Sequence, residues 1–275
     1  MNSVSTVGGM LHPAIFIRLN GLYAVCRGVS VNKIRFVPFY FAFRPICCIF
    51  ADYAGRGLAR VHLLYIKRRE MKIFAVGMNY IQHNKELDGA LYKPEEPVIF
   101  TKADSSLLKD GKPFFPPDDL GRIDYEAEIV VRICRLGKSI PQRFAHRYYD
   151  AVTVGVDFTA RELQRKLRDE GKPWDLCKSF DGAAAIGEWI GVEKLRDVQA
   201  LRFRLDVNGR TVQEGCTAEM LFKVDELIAY ISRWFTLKTG DILYTGTPAG
   251  VGPVSVDDHI TGWLEDRKVL EFNVK

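Results

Sequence analysis

The chain has 275 residues, 47% hydrophobic and 12% aromatic, enough apolar material for a sizeable core and far from the composition of a disordered chain. Its net charge of +5 is uneven: residues 1–70 carry ten Lys or Arg against two acids, whereas 71–275 carry 29 against 32. The larger part therefore lacks the clustered basic face that nucleic acid needs, and no nucleic-acid partner is expected.

Residues 1–70 show little helical or strand periodicity. The apolar run at 36–50 is interrupted by Pro38, Arg44 and Pro45, so it is too short and too broken to span a bilayer. No secretory signal pattern is present, and no membrane association is expected. The arginine-rich, acid-poor composition fits an organellar transit peptide, but the serine enrichment and amphipathic helix of such a peptide are missing. The expectation is that 1–70 is a basic N-terminal extension, poorly structured or upstream of the working start, and that 71–275 is the catalytic domain. A partner-binding or surface-binding arm is the alternative.

The six cysteines form no C-x-x-C pair and no Cys/His zinc spacing, which predicts reduced thiols in a cytosol-like compartment. A mitochondrial location is the alternative if the basic segment is a transit peptide.

From Met71 the pattern changes. Lys72–Gly77 reads as a short apolar strand. Further strands are predicted at 98–102, 125–133, 152–160, 200–209 and 241–246, bounded by Gly, Pro and Asp. Asn208-Gly209 is a two-residue hairpin signal. Helices are predicted at Pro141–Ala151, Ala160–Glu170 and Ala218–Phe235, the last from the helical spacing of Met220, Leu221, Val224, Leu227, Ile228 and Ile231. Too few helices lie between strands for βαβ alternation, so the fold class is mainly β with peripheral helices.

Within RIDYEAEIVV (122–131), strand alternation puts Asp124, Glu126 and Glu128 on one face. Carboxylates about 7 Å apart repel unless a cation lies among them, or unless the face is simply solvated. Asp157 closes the apolar strand VTVGVD, where it is either a site carboxylate or the N-cap of the following helix. Glu126, Glu128 and Asp157 would offer an all-oxygen ligand set with positions left for water or substrate, which favours Mg²⁺ or Mn²⁺ over Zn²⁺. In GMNYIQHNKEL (77–87), His83 and Glu86 share a face if the segment is helical, the arrangement of a carboxylate-oriented base or of an ordinary surface pair.

Taken in order, GMNYIQH, RIDYEAEIVV, VGVDFTARELQ, WDLCKSFDG and LKTGDILYTGTPAGVG resemble the fumarylacetoacetate hydrolase family, in its short-chain branch acting on acylpyruvates and oxaloacetate. The resemblance runs from Met71 to the C-terminus. It implies a mixed β-sandwich roll, a homodimer and a small 2-oxo acid as substrate. It also implies Glu126, Glu128 and Asp157 as metal ligands, His83 with Glu86 as a water-activating dyad on a mobile lid, and Lys178 as the stabiliser of negative charge on the substrate. Arg161, Gln164 and Thr247 correspond to pocket residues that bind substrate.

The expected activity is that of a metal-dependent hydrolase cleaving a C–C bond in acylpyruvates, pyruvate leaving as its enolate on the ion. Oxaloacetate decarboxylation and 2-oxo-diacid isomerisation or tautomerisation use the same enolate and are the alternatives. A non-enzymatic alternative is a structural Ca²⁺ held by the carboxylates in a binding protein.

Overall fold

The computed structural model describes residues 71–88 and 93–275, together with the backbone of five strands nearer the N-terminus. The chain divides into two compact units, Met1–Arg69 and Glu70–Lys275. In the first, β1 (Val4–Val7), β2 (Ala14–Leu19) and β3 (Leu22–Arg27) form an antiparallel sheet, and β4 (Ile49–Ala54) pairs with β5 (Leu58–Leu63). The expectation that 1–70 is an extension otherwise lies outside the described residues.

In the second unit, β6 (Ile73–Gly77) leads into α1 (Ile81–Asp88), then β7 (Val98–Lys102) and the short β8 (Leu107–Leu108). The acidic stretch forms β9 (Ile123–Tyr125) and β10 (Ala127–Ile133), and is followed by β11 (Tyr149–Asp157), β12 (Thr159–Ala160), α2 (Arg161–Asp169) and the one-turn α3 (Asp175–Lys178). Two short strands, β13 (Ala184–Ile186) and β14 (Ile190–Gly191), precede the hairpin of β15 (Arg202–Val207) and β16 (Arg210–Cys216). The chain ends with α4 (Val224–Trp234), β17 (Ile242–Tyr244), β18 (Gly252–Pro253), β19 (His259–Leu264) and β20 (Arg267–Asn273).

The main sheet runs β7-β6-β17-β10-β11-β13-β8, with β14 also on β11. It mixes parallel pairs (β6 with β17, β8 with β13) and antiparallel ones. A four-stranded antiparallel sheet, β16-β15-β19-β20, covers it, and a small sheet, β12-β9-β18, closes one end. Phe203, Leu205, Ile260, Leu264, Leu270 and Phe272 from the second sheet join Ile129, Val131, Val152 and Val154 from the first in one core. Each such side chain, once buried, contributes about 1.5–3 kcal/mol of burial free energy. Phe158 stacks on Phe114 at 3.9 Å and meets Phe272 edge-on at 6.0 Å, so the turn after Asp157 is clamped by aromatic packing. This mainly β sandwich with few peripheral helices is the fold class read from the sequence.

Asn208-Gly209 turns the β15–β16 hairpin as expected, both residues at positive φ. Two helix expectations are corrected. Pro141–Ala151 holds only a 3-10 segment, Gln142–Arg147, and Tyr149 onward is strand, because Val152, Val154 and Val156 are β-branched residues at period two facing the core. The helix expected from Ala218 begins at Val224; Thr217–Glu219 is a 3-10 turn, and its Thr217 hydroxyl accepts the Leu201 N–H and donates to the Val198 carbonyl.

Candidate active site

The acidic stretch is not one continuous strand. Its pairing breaks at Glu126: β9 joins the small sheet and β10 the main one, so Glu126 sits at the joint. The Asp157 N–H donates to the Glu126 carbonyl at 2.9 Å, which holds the end of β11 beside that joint. Glu126, Glu128 and Asp157 are 4%, 1% and 1% exposed, and one carboxylate oxygen from each lies within 4.8 Å of the others. A solvated edge face is excluded by that burial. The N-cap alternative for Asp157 also fails, since α2 starts at Arg161 with Ala160 at the cap.

Asp124 does not join the cluster. It takes Arg161 Nε at 2.9 Å and Arg122 Nε at 2.6 Å, two cations on one carboxylate. Arg161 reaches on to Glu126 Oε1 at 2.6 Å and to Gln164 Oε1 at 2.7 Å. It stands behind Glu126 and is not among the residues lining the cavity. Lys178 Nζ lies 2.7 Å from Glu126 Oε2, 2.9 Å from Asp157 Oδ2 and 2.7 Å from the Thr159 hydroxyl, and the Phe100 ring is 5.4 Å away.

Sequence reasoning missed Lys102, the last residue of β7. Its side chain is fully buried, with Nζ 2.5 Å from Asp157 Oδ1, donating also to the Lys178 and Ala183 carbonyls. The signal was a lysine ending the apolar run VIFTK, which by itself looks like the polar end of an edge strand.

These pairings distribute charge unevenly. Burial pushes the Glu126 carboxyl up, but the Lys178 and Arg161 charges outweigh it and hold the group well below the usual carboxylate range. Burial and the charges of Asp157 and Glu126 push Glu128 well above that range. Glu128 has no ion-pair partner among the described residues; the Gly246 N–H donates to it at 2.6 Å. Burial depresses the Lys102 ammonium, whereas for Lys178 the attraction of Asp157 and Glu126 overcomes burial and raises it. Arg161, Lys178 and Lys102 already stand on Glu126 and Asp157, so the place left for a further positive charge is beside Glu128. An oxygen-preferring divalent ion fits it, held by Glu126, Glu128 and Asp157, with no Cys or His in the set.

Gly246 is needed for this geometry. Its φ of 97° is unfavourable for other residues, and a Cβ there would come 2.7 Å from Asn79 Cβ. Asn79 is itself buried: its amide donates to the Thr245 and Phe222 carbonyls at 2.7 and 3.1 Å, and its oxygen accepts the Phe222 N–H. That fixes the entry to α1.

On α1, His83 is 4% exposed, with Nδ1 3.6 Å from Glu86 Oε2, too long for a hydrogen bond. Glu86 accepts the Gly250 N–H at 3.1 Å, and His83 together with that N–H holds its carboxyl below the ordinary range. With Nδ1 turned toward Glu86, Nε2 is the nitrogen left for the cavity. A cavity of about 90 Å³ brings together His83, Glu126, Glu128, Asp157, Lys178, Gln164 and Thr247, with Phe100, Trp174 and Arg168 also on its wall. Of the nine residues singled out from the sequence, seven line this cavity; Arg161 stands behind it and Glu86 behind His83.

Residues 72–275 match the model of the family described as fumarylacetoacetate (FAA) hydrolase C-terminal. The chain belongs to the fumarylacetoacetate hydrolase family. It is 39% identical over 204 residues to a mitochondrial oxaloacetate tautomerase of Arabidopsis thaliana, covering 74% of this chain and 91% of that one. It is 38% identical over 191 residues to an oxaloacetate tautomerase of Escherichia coli, covering 69% and 86%. Among solved structures, fumarylpyruvate hydrolase from Pseudomonas aeruginosa, in complex with Mn²⁺ and pyruvate, superposes with a TM-score of 0.70 at 26% identity, covering 86% of this chain and all of that one. Members of this family are enzymes. No helix among the described residues is long and apolar enough to cross a membrane.

Proposed function

We propose that the chain is a divalent-metal-dependent enzyme that interconverts the keto and enol forms of a small 2-oxo diacid, with oxaloacetate as the substrate. The observation that carries this reading is one histidine lining the same cavity as a buried carboxylate triad. The names of the 38–39% identical relatives support it. Sequence motifs put acylpyruvate hydrolysis first; these relatives move tautomerisation ahead of it.

A bound Mg²⁺ or Mn²⁺, held by Glu126, Glu128 and Asp157, supplies a Lewis acid that favours the enolate form of the substrate. His83 Nε2 would take the C3 proton as the C–H pair becomes the C2–C3 double bond and the C2 carbonyl π pair moves onto its oxygen; the same imidazolium would then return the proton to the C2 oxygen to give the enol. Neither water nor C–C cleavage is required. Glu86 and the Gly250 N–H keep the His83 ring in position. Lys178 and Arg161 hold Glu126 in its ionised form, Lys102 pairs with Asp157, and Lys178, which lines the cavity, can meet negative charge developing on the substrate. Thr247 holds a carboxylate oxygen. Gln164 and Arg168, one helical turn apart on α2, give the mouth of the cavity a polar and cationic side for the second carboxylate.

Acylpyruvate hydrolysis is the second reading, favoured by the structural likeness to fumarylpyruvate hydrolase and by a His–Glu pair able to deprotonate water. Oxaloacetate decarboxylation would pass through the same enolate. Residues 1–70, which precede the family match, are proposed to lie outside the catalytic unit, and a homodimer is proposed for the working enzyme.

The test follows the enol absorbance of oxaloacetate in the ultraviolet with Mg²⁺ and Mn²⁺, alongside pyruvate and CO₂ release and an acylpyruvate panel. Fast keto–enol equilibration with little pyruvate formed supports tautomerisation. Acylpyruvate cleavage outpacing equilibration by tenfold or more would promote the second reading.

A further inference from the structure

We infer that Gln213 is a positioning residue that turns the Thr247 hydroxyl proton toward the substrate and ties that hydroxyl to the metal-binding carboxylates. The inference rests on the reading above that Thr247 contacts the substrate. Gln213 belongs to β16, in the sheet opposite the carboxylates, and at 2% exposure it points across the core. Its Oε1 accepts the Ala127 N–H at 2.8 Å. Its Nε2 lies 3.0 Å from the Pro248 carbonyl and 2.9 Å from Thr247 Oγ1.

The orientation of this amide is fixed by its partners. A backbone N–H can only donate and a carbonyl can only accept, so the oxygen must face Ala127 and the nitrogen Pro248. The second amide proton then goes to Thr247 Oγ1, which becomes an acceptor there. A hydroxyl with its lone pair engaged from behind keeps its own proton for another partner. Inside the protein that partner is the Pro248 carbonyl at 3.4 Å, a poor contact, so a carboxylate oxygen in the cavity competes for it readily.

The other end of the amide acts on the ligands. Ala127 is the residue between Glu126 and Glu128, at the point where the strand changes sheets. One side chain thus spans the peptide joining two ligands and the turn that presents Thr247. The same turn is seated on β16 at Gly250, where a Cβ would come 2.6 Å from the Val212 carbonyl, and its Gly250 N–H holds Glu86. Substrate-binding turn, dyad and ligand strand therefore share one anchor.

Two variants separate the two ends. Gln213→Glu keeps an acceptor for the Ala127 N–H but no longer donates to Thr247, so the threonine proton turns inward. Gln213→Met keeps the size and loses both contacts. With oxaloacetate as substrate, Gln213→Glu is expected to raise KM roughly tenfold, as Thr247→Val does, while kcat and Mn²⁺ affinity stay within about threefold. Gln213→Met should raise KM similarly and also weaken Mn²⁺ binding several-fold by calorimetry. Combining either change with Thr247→Val should add nothing further to KM. Full additivity, or an unchanged KM in both Gln213 variants while Thr247→Val raises it, overturns the inference and leaves the pocket reading standing. An unchanged KM in Thr247→Val itself overturns both.

Discussion

Two parts of the active site are built on opposite physical terms. Glu128 and Asp157 are anchored in paired strands and Glu126 at the joint between two, all at most 4% exposed, with Arg161, Lys178 and Lys102 on Glu126 and Asp157 at 2.5–2.9 Å. The His83–Glu86 pair sits on the eight-residue α1, Nδ1 and Oε2 are 3.6 Å apart, and the Glu86 side chain is 36% exposed. The difference teaches where precision is needed. Gathering like charge in a core costs several kcal/mol per ion, so every partner must be fixed. A proton-transfer group gathers no such cluster of like charge and needs only to reach the substrate.

The largest expected effect lies at the helix. His83→Ala is expected to lower turnover by about 10²–10⁴ while Mn²⁺ affinity changes little, because the base is lost and the ligands are not. Steady-state kinetics beside calorimetry reads both; parallel loss of metal would mean the two parts are one. In the floor of the site, Lys102→Met leaves Asp157 Oδ1 without its cation in the core. A destabilisation of about 3 kcal/mol, read by denaturant unfolding of the metal-free protein, is expected, with part recovered when Mn²⁺ is added. Gly246→Ala should cost about 1–3 kcal/mol through strain at positive φ and the clash with Asn79, and should weaken metal binding by moving the N–H that Glu128 accepts.

The smallest effect sharpens the other side. The folded-state pKa of Glu86 lies below its unfolded value, so its contribution to stability is complete above the unfolded value near 4.5 and fades as pH falls through the folded one. Because this side chain is partly exposed, solvent screening keeps the contribution under about 1 kcal/mol. The stability difference between wild type and Glu86→Gln should therefore be present at pH 7 and vanish in acid, without affecting metal affinity.

Much of this was legible in the sequence, and the illegible part has physical reasons. The order of strands, the Asn208-Gly209 hairpin and the core stripe of α4 follow from period and turn chemistry. The triad was legible as residue types, but the route to it was not: alternation on one strand put Asp124 with Glu126 and Glu128, whereas the chain changes sheets at Glu126 and hands Asp124 to two arginines. Strand periodicity carries no sign of such a break, because each half still alternates. Lys102 and Gln213 were invisible for a related reason. Each is a polar residue at one strand position whose role depends on a partner more than fifty residues away. Pro141–Ala151 failed because local helical spacing competed with a β-branched run that the sheet captured.

The central claim is that Glu126, Glu128 and Asp157 together hold one divalent ion. Its most direct test is Mn²⁺ titration by calorimetry of the wild type and of Glu128→Ala, the ligand without a cation of its own. One ion per chain is expected in the wild type, with at least a hundredfold weaker binding in the variant. Equal affinity in the two, or no stoichiometric binding in the wild type, would contradict it.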